Sequence, residues 1–249
     1  MHMAGSFLWP FLRIGALFVS APIFGASSVP VRVRVLLGAL VAWLLLPGLP
    51  AAPAVDLISG ESLLIGVHQI LIGVAMGFIL QLVFSIFVIA GQSIAMAMGL
   101  GFASAVDPQN GIQVPVISQA FLILATLMFL SLNGHLMLIQ LLADSFHLLP
   151  VGPLRPEPQQ LWSIALWGSY MFAGGLLVAL PAVTGLLLVN IAFGVAARAA
   201  PQLNIFAVGF PVMILAGFLL MLVLLPGLGD HLGKMMGDAF QLMRQLLVR

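Results

Sequence analysis

The feature that most constrains this sequence is the length of its charge-free segments. Ser62 to Val106 contains 45 consecutive residues without Lys, Arg, Asp or Glu, Pro158 to Ala197 contains 40, and Ala199 to Gly229 contains 31. A helix that crosses the hydrocarbon of a bilayer needs only about 20 apolar residues. Because backbone groups in hydrocarbon must be hydrogen-bonded within their own segment, these runs predict helices. We therefore expect an all-α, integral membrane-type bundle of long kinked helical hairpins, with two helices in each of the two longest runs.

The composition excludes several classes of protein. Only 6% of the 249 residues are charged and 62% are apolar, whereas a soluble domain carries about 25% charged residues. The surface must therefore meet membrane lipid or other protein. Eight Lys and Arg against seven Asp and Glu form no basic patch, which excludes nucleic acid as a partner.

The sequence motifs for catalysis or metal binding are also missing. The chain has no Cys, no pair of His at zinc-ligand spacing and no serine nucleophile motif. We therefore predict that the protein is not an enzyme and that it uses no metal and no cofactor.

A proline-rich stretch divides the chain. Residues 150–158 include Pro150, Pro153, Pro156 and Pro158, which prevents a regular helix there. The sequence therefore predicts a single domain over residues 1–249, with helical halves at 1–149 and 159–249 joined by a linker at 150–158. Within the halves, helices are expected from Phe7 to Phe24 and from Val116 to Leu142, among others.

Small residues at every fourth position predict close contacts between helices, since lipid tails supply no hydrophobic drive for helices to associate. One row has four such residues and a second row has two: Gly91, Ala95, Gly99 and Ala103, and then Gly73 and Gly77. These rows are consistent with helix contacts within the chain and also with an interface between subunits.

The segment that follows the first row cannot be a regular helix. Its small apolar residues are followed by Asp107 and Pro108, then by the turn pair Asn110-Gly111 and by Pro115. Irregular backbone inside hydrocarbon is tolerated only where protein buries it or where it lines a watery cavity. On composition alone, a hairpin loop at the surface is the more frequent alternative.

Two methionines, Met96 and Met98, precede this segment. Flexible thioethers can close around varied surfaces, although methionine more often fills gaps in a core. Both roles are open at this point.

Ionisable residues within apolar segments are costly and are therefore candidates for function. They are Arg13, Asp107, Asp144 and Arg198. All but Arg13 are next to predicted helix ends, where the charged group can reach the membrane interface.

The C-terminal tail has the pattern of an amphipathic helix. Its apolar residues fall on one face and its polar residues on the other: Leu232, Met235, Met236, Ala239, Phe240, Met243, Leu246 and Leu247, against Lys234, Asp238, Gln241 and Gln245. The apolar face can lie on a partner, on the membrane surface or on the same chain.

Five motifs occur in a specific order along nearly the whole chain. They are His68 to Gly73 with Gly77-Phe78, Gly99 to Pro108, Asn133 to His135, Asp144 to Gly152, and Ala200 to Phe206 followed by Gly209 to Pro211. In this order and spacing the chain resembles the FliR family, the flagellar member of the type III secretion export-gate proteins. That family is related to the export-apparatus proteins of virulence injectisomes, and the first and last motifs favour the flagellar branch.

The resemblance implies a gate for unfolded proteins in the bacterial inner membrane, within the flagellar basal body. Family members join FliP-like and FliQ-like subunits in a funnel-shaped helical complex that works with FlhB-like and FlhA-like export components. Much of that complex is raised toward the periplasm. Sibling subunits, rather than lipid, would then cover part of the apolar surface.

The resemblance also implies a channel plug, which projects beside a ring of methionines from neighbouring subunits. The plug residues are Phe102, Ala103, Ser104, Ala105, Val106, Asp107, Pro108, Gln109, Asn110, Gly111, Ile112, Gln113, Val114 and Pro115. Met96 and Met98 are the expected gating methionines, and Asp107 would anchor the plug through hydrogen bonds.

Two further alternatives remain at this stage. A secondary transporter needs paired broken helices in two matching halves, and the sequence shows no convincing internal repeat. An intramembrane enzyme needs a nucleophile with its base, or a metal set. An injectisome subunit is the alternative within the same class of protein.

Overall fold

The computed structural model describes residues 2–26, 28–51, 53, 55, 56, 59–101, 116–152, 158–199 and 205–248. Within these residues the chain is helical almost throughout and has no strand, which confirms the all-α prediction. The helices are α1 (His2–Ser20), α2 (Val31–Leu45), α3 (Gly60–Ala97), α4 (Val116–Ser131), α5 (Gly134–Leu148), α6 (Pro158–Ala199) and α7 (Ile205–Leu247). A short 3-10 helix, Leu46–Gly48, follows α2.

Four segments in the described ranges are long and apolar enough to cross a membrane: Val31–Gly48, Gly60–Ala97, Pro158–Ala199 and Val208–Leu247. The helices α4 and α5 together form a fifth candidate that is bent by 65°. These lengths and compositions confirm a membrane-type helical bundle.

In the described residues, the expectation of two helices in each of the two longest charge-free runs is wrong. Of the first run, residues 62–97 belong to the single helix α3, of 38 residues, and residues 102–106 lie outside the described residues; the second run forms α6, of 42 residues. A helix ends at a capping or breaking residue, and its length need not equal the thickness of a bilayer. Pro181 lies inside α6 without ending it. At 1.5 Å per residue, α3 and α6 are about 57 and 63 Å long.

The first helix also differs from its predicted bounds of Phe7 to Phe24. It begins at His2 and ends at Ser20, two residues before Pro22. Proline disfavours helical backbone at the residue before it, which explains why α1 stops before Ala21. Pro10 lies inside α1, and the helix continues past it.

The single helix predicted from Val116 to Leu142 is interrupted. Asn133 adopts the left-handed conformation (φ 57°, ψ 25°) between α4 and α5. Asn is among the few residues that adopt this conformation readily. A Cβ on Gly134 would lie 2.5 Å from Cε of Met236 and 2.6 Å from Cε2 of the buried Phe129 ring. The end of the methionine can move but the packed ring cannot, so the residue after the break must also be small. The dipeptide Asn133-Gly134 was the sequence signal for this break.

Contacts divide the chain into two compact units. One comprises Met1–Val83, Phe129–Gly168 and Met235–Arg249, and the other Phe84–Met128 and Ser169–Lys234. The linker at 150–158 and the halves on either side of it stay a prediction. Residues 153–157 of that linker lie outside the described residues.

In the first unit, the C-terminal tail packs on its own chain. The predicted apolar face is buried at Met235, Met236, Ala239, Phe240, Met243 and Leu247. The polar positions Asp238, Gln241 and Gln245 are exposed. The close contact between Met236 and Gly134 joins the tail to the start of α5. Among the three alternatives for this face, packing on the same chain is the one observed.

In the second unit, α3 and α6 approach closely through two glycines. A Cβ on Gly175 would lie 2.6 Å from Cγ2 of Ile89, and a Cβ on Gly174 would lie 3.2 Å from Cδ1 of Ile86. At Gly175 a Cβ would also lie 2.8 Å from Cβ of Ile89, so only glycine leaves room there, whereas a Cβ on Gly174 would require Ile86 to shift by a few tenths of an ångström. The core of this unit therefore depends on contact between the backbone of α6 and the side chains of α3.

Candidate functional site

The predicted channel plug, from Phe102 to Pro115, lies outside the described residues. The structure describes the chain up to Gly101 and again from Val116 onward. The segment is therefore attached at Gly101 and at Val116, and both residues belong to the second unit.

The helix before the segment ends in a Schellman motif. The amide of Leu100 donates to the carbonyl oxygen of Ala95, and the amide of Gly99 to that of Met96, each at 3.0 Å. Gly99 has φ 83°, which is the left-handed residue that this motif requires. A side chain there costs about 1–2 kcal/mol because Cβ crowds the following carbonyl.

This motif corrects the expectation that Gly99 continues a helical stripe with Gly91 and Ala95. The regular helix ends at Ala97, so the stripe stops before Gly99. A Cβ on Gly99 would make only an ordinary contact with the ring of Phe210, at 3.7 Å. Glycine is therefore needed for the backbone conformation and not for space.

The two predicted gating methionines have different surroundings. Met98 is 0% exposed and packs on α7, where a Cβ on Gly217 would lie 2.5 Å from its Cγ and 2.6 Å from its Sδ. Met96 is 60% exposed, and its sulfur occupies the space that a Cβ on Gly101 would take. Met98 is thus a core residue of its unit, whereas Met96 is accessible on this chain. Their gating role stays a prediction.

After residues 102–115, the start of α4 packs directly against α3. A Cβ on Gly91 would lie 2.7 Å from Cα of Ser118 in the first turn of α4. Ala95, one turn further along α3, is buried. The hydroxyl of Ser118 is buried and has no hydrogen-bond partner within the described part of the chain. Gly91 therefore allows the start of α4 to pack on the backbone of α3.

The second predicted row of small residues, Gly73 and Gly77, faces α1. The carbonyl oxygen of Arg13 occupies the space that a Cβ on Gly73 would take, and Oγ of Ser20 does so at Gly77. Oγ of Ser20 also donates to the carbonyl oxygen of Ala16 at 2.9 Å. The backbones of α1 and α3 are therefore in direct contact at these two positions.

Arg13 is fully buried among neutral acceptors. Its Nε donates to Oε1 of Gln69 at 2.8 Å, its Nη1 to the carbonyl oxygen and Oγ of Ser145 at 2.9 and 3.1 Å, and its Nη2 to the carbonyl oxygen of Leu149 at 2.9 Å. The guanidinium carbon lies 4.2 Å from the ring centroid of Phe146. The two carbonyls belong to the C-terminal end of α5, where the helix dipole favours a cation.

The sequence indicated Arg13 but none of its partners. Gln69 belongs to the motif that starts at His68, and Ser145 and Leu149 belong to the motif that starts at Asp144. Two of the motifs that carry the family resemblance therefore supply the acceptors for one arginine. This grouping in space joins α1, α3 and α5 within the first unit.

The other ionisable candidates are placed differently. Asp144 is half-buried in α5, and Arg198 is exposed in the last turn of α6. Asp107 lies outside the described residues. No group of three or more His, Cys, Asp or Glu residues that could hold a metal ion occurs in the part of the chain that the structure describes.

Comparison with known proteins identifies related sequences along nearly the whole chain. Residues 4–239 match the family described as bacterial export proteins, family 1. The flagellar biosynthetic protein FliR of Escherichia coli (strain K12) is 40% identical over 241 residues, which cover 97% of this chain and 92% of that protein. The FliR protein of Pectobacterium carotovorum is 39% identical, with 100% and 95% covered. That of Bacillus subtilis (strain 168) is 31% identical, with 97% and 94% covered.

Proposed function

Because the chain belongs to the FliR family of bacterial export proteins, we propose that it is a subunit of the flagellar type III secretion export gate. It joins FliP-like and FliQ-like subunits in the inner membrane, at the flagellar basal body. Together they form the channel through which unfolded flagellar proteins are exported. FlhB-like and FlhA-like components act with this channel.

The surface of α6 is the observation that carries this proposal. Large exposed apolar side chains occur along α6 from Leu161 to Val195, a distance of about 51 Å at 1.5 Å per residue. The hydrocarbon core of a bilayer is only about 30 Å thick. Even at a tilt of about 40°, the upper end of the usual range, this stretch spans about 39 Å across the bilayer. Lipid alone cannot cover it, so other apolar protein must.

The proposal predicts a stable complex. When this chain is tagged and expressed together with FliP-like and FliQ-like subunits, we expect all three to elute in one peak in detergent. The peak composition is measured by native mass spectrometry. Elution of the chain alone, combined with uptake of a small solute by vesicles that contain only this chain, contradicts the gate and supports a transporter.

A matched pair of variants locates the interface. Leu187 of α6 is 56% exposed, and Leu187→Glu would bury an unpaired charge in the proposed contact, which is strongly unfavourable. We expect the yield of complex to fall at least tenfold, while Leu187→Met keeps it. An immunoblot of the membrane fraction separates lost assembly from lost protein.

We also propose that residues 102–115 close the channel sterically. The segment follows a helix end that is fixed by Gly99, and its small and apolar residues can exclude water when the channel is closed. Asp107 anchors the segment by accepting hydrogen bonds. A closed gate of this kind passes neither ions nor export substrates.

Deletion of Gln109 to Gln113 is therefore expected to make the membrane permeable to small solutes while the complex still assembles. Conductance of the purified complex in planar bilayers measures the leak, and co-elution with the sibling subunits confirms assembly. Asp107→Asn should give a smaller leak of the same kind. An assembled deletion variant with the conductance of the wild type removes the plug from the proposal.

A further inference from the structure

The helix α2 has an exposed apolar surface around most of its circumference. Only Gly38 and Ala42 are buried in this helix. A Cβ on Gly38 would make ordinary contacts, at 3.8 and 3.9 Å, with Phe11 and Phe18 of α1. The exposed large side chains are Val31, Val33, Val35, Leu36, Leu37, Leu40, Trp43 and Leu44.

The length of this surface fits one bilayer, in contrast to the surface of α6. The apolar segment Val31–Gly48 has 18 residues and a mean hydropathy of 1.7. At 1.5 Å per residue it is about 27 Å long, close to the hydrocarbon thickness of about 30 Å. Lipid can therefore cover α2 over its full length without help from another protein.

One end of α2 is positively charged and lacks acidic neighbours in sequence. Arg32 is exposed. Arg34 is half-buried: its Nη2 donates to the carbonyl oxygen of Ala26 at 2.5 Å, and its Nε is buried and has no partner among the described residues. The first turn of α2 contains no acidic residue, and none precedes Asp56 in the sequence. This end of the helix is complementary in charge to anionic headgroups.

From length, exposure and charge together, we propose that α2 is the lipid-contacting helix of this chain. Its apolar surface meets acyl chains, and the exposed Arg32 binds the phosphates of acidic phospholipids. For the assembled gate, this inference rests on the proposed function. In that complex the sibling subunits cover α6, and α2 stays in contact with lipid.

Two positions with equal exposure allow a direct test. Leu40 of α2 is 55% exposed and Leu187 of α6 is 56% exposed in the isolated chain. The chain has no Cys, so Leu40→Cys and Leu187→Cys can each carry one fluorophore in a complex with cysteine-free sibling subunits. In vesicles that contain brominated phospholipids, we expect strong quenching at position 40 and little at position 187. Absence of quenching at position 40 means that protein covers α2 and overturns the proposal.

The headgroup contact is tested with the same fluorophore at position 40. Brominated phosphatidylglycerol should quench it at lower mole fraction than brominated phosphatidylcholine does. Arg32→Gln should reduce this preference about fivefold, as expected for the loss of one cationic side chain at an anionic surface. Arg244→Gln, which changes the net charge equally but lies in α7, should leave it unchanged. Equal quenching by both lipids in the unsubstituted chain overturns the role of Arg32.

The test also separates this inference from the proposed function. If no complex forms with the sibling subunits, the labelled chain is reconstituted alone. Quenching at both positions, with the phosphatidylglycerol preference at position 40, then supports α2 as the lipid contact and counts only against the gate. In this preparation too, an unquenched fluorophore at position 40 overturns the inference.

Discussion

Replacement of Arg13 by methionine is expected to remove most of the folded protein from the membrane. The change leaves Oε1 of Gln69 and the carbonyl oxygen of Leu149 without the donor that they have in the structure, whereas the carbonyl oxygen of Ser145 keeps the amide of Leu149 as a donor. Each buried polar group that loses its partner costs about 1–3 kcal/mol. The sum is a large part of the roughly 5–15 kcal/mol that stabilises a typical protein. The measurements are the amount of chain in the membrane fraction and the thermal midpoint of the purified protein.

The variant Arg13→Lys separates the contribution of the positive charge from that of the hydrogen-bonding geometry of the guanidinium group. A lysine keeps the positive charge, but its single nitrogen cannot reach the three groups that Nε, Nη1 and Nη2 of Arg13 contact. We expect this variant to be intermediate, whereas Arg32→Lys at an exposed position should accumulate normally. If Arg13→Met accumulates and melts as the wild type does, the network around Arg13 does not hold α1, α3 and α5 together.

The second large effect is expected at Gly73, where even one methyl group has no space. In Gly73→Ala the added Cβ would meet the carbonyl oxygen of Arg13 and lie 2.9 Å from the amide nitrogen of Leu17. Both atoms belong to the backbone of α1, so no side-chain rotation can relieve the overlap. Overpacking of this kind costs about 1–3 kcal/mol, which outweighs the gain of about 1 kcal/mol from alanine in a helix. We expect a thermal midpoint several degrees below that of the wild type.

Gly15→Ala is the matched control for this prediction. Gly15 lies in α1 of the same unit, and a Cβ there would have nothing within 4 Å. Alanine should therefore keep or raise the thermal midpoint through its better helix propensity. A Gly73→Ala variant that melts at or above Gly15→Ala shows that α1 and α3 can separate without cost. The close contact would then contribute nothing to stability.

The charge-free runs were sufficient to predict the fold class and the membrane-type helices. In an apolar environment the backbone is satisfied by helices or by closed barrels, and the long uninterrupted apolar runs lack the alternation of barrel strands. The periodicity of the tail likewise predicted most of its buried residues, although it left out the buried Leu242 and included the half-buried Leu246. These properties depend on hydropathy and local hydrogen bonding, which can be read from the order of residues alone.

The sequence by itself determined that this chain forms apolar helices. It also showed at which positions small residues permit close packing, and which family the chain resembles. The tertiary structure alone decided that Gly60–Ala97 and Pro158–Ala199 are each one helix, that Gly99 ends α3 in a left-handed turn, and that Arg13 bonds with α3 and α5. The reason is that hydropathy is a property of each segment. The partner of a buried donor and the end of a helix depend on atoms that are distant in sequence and meet only in the folded chain.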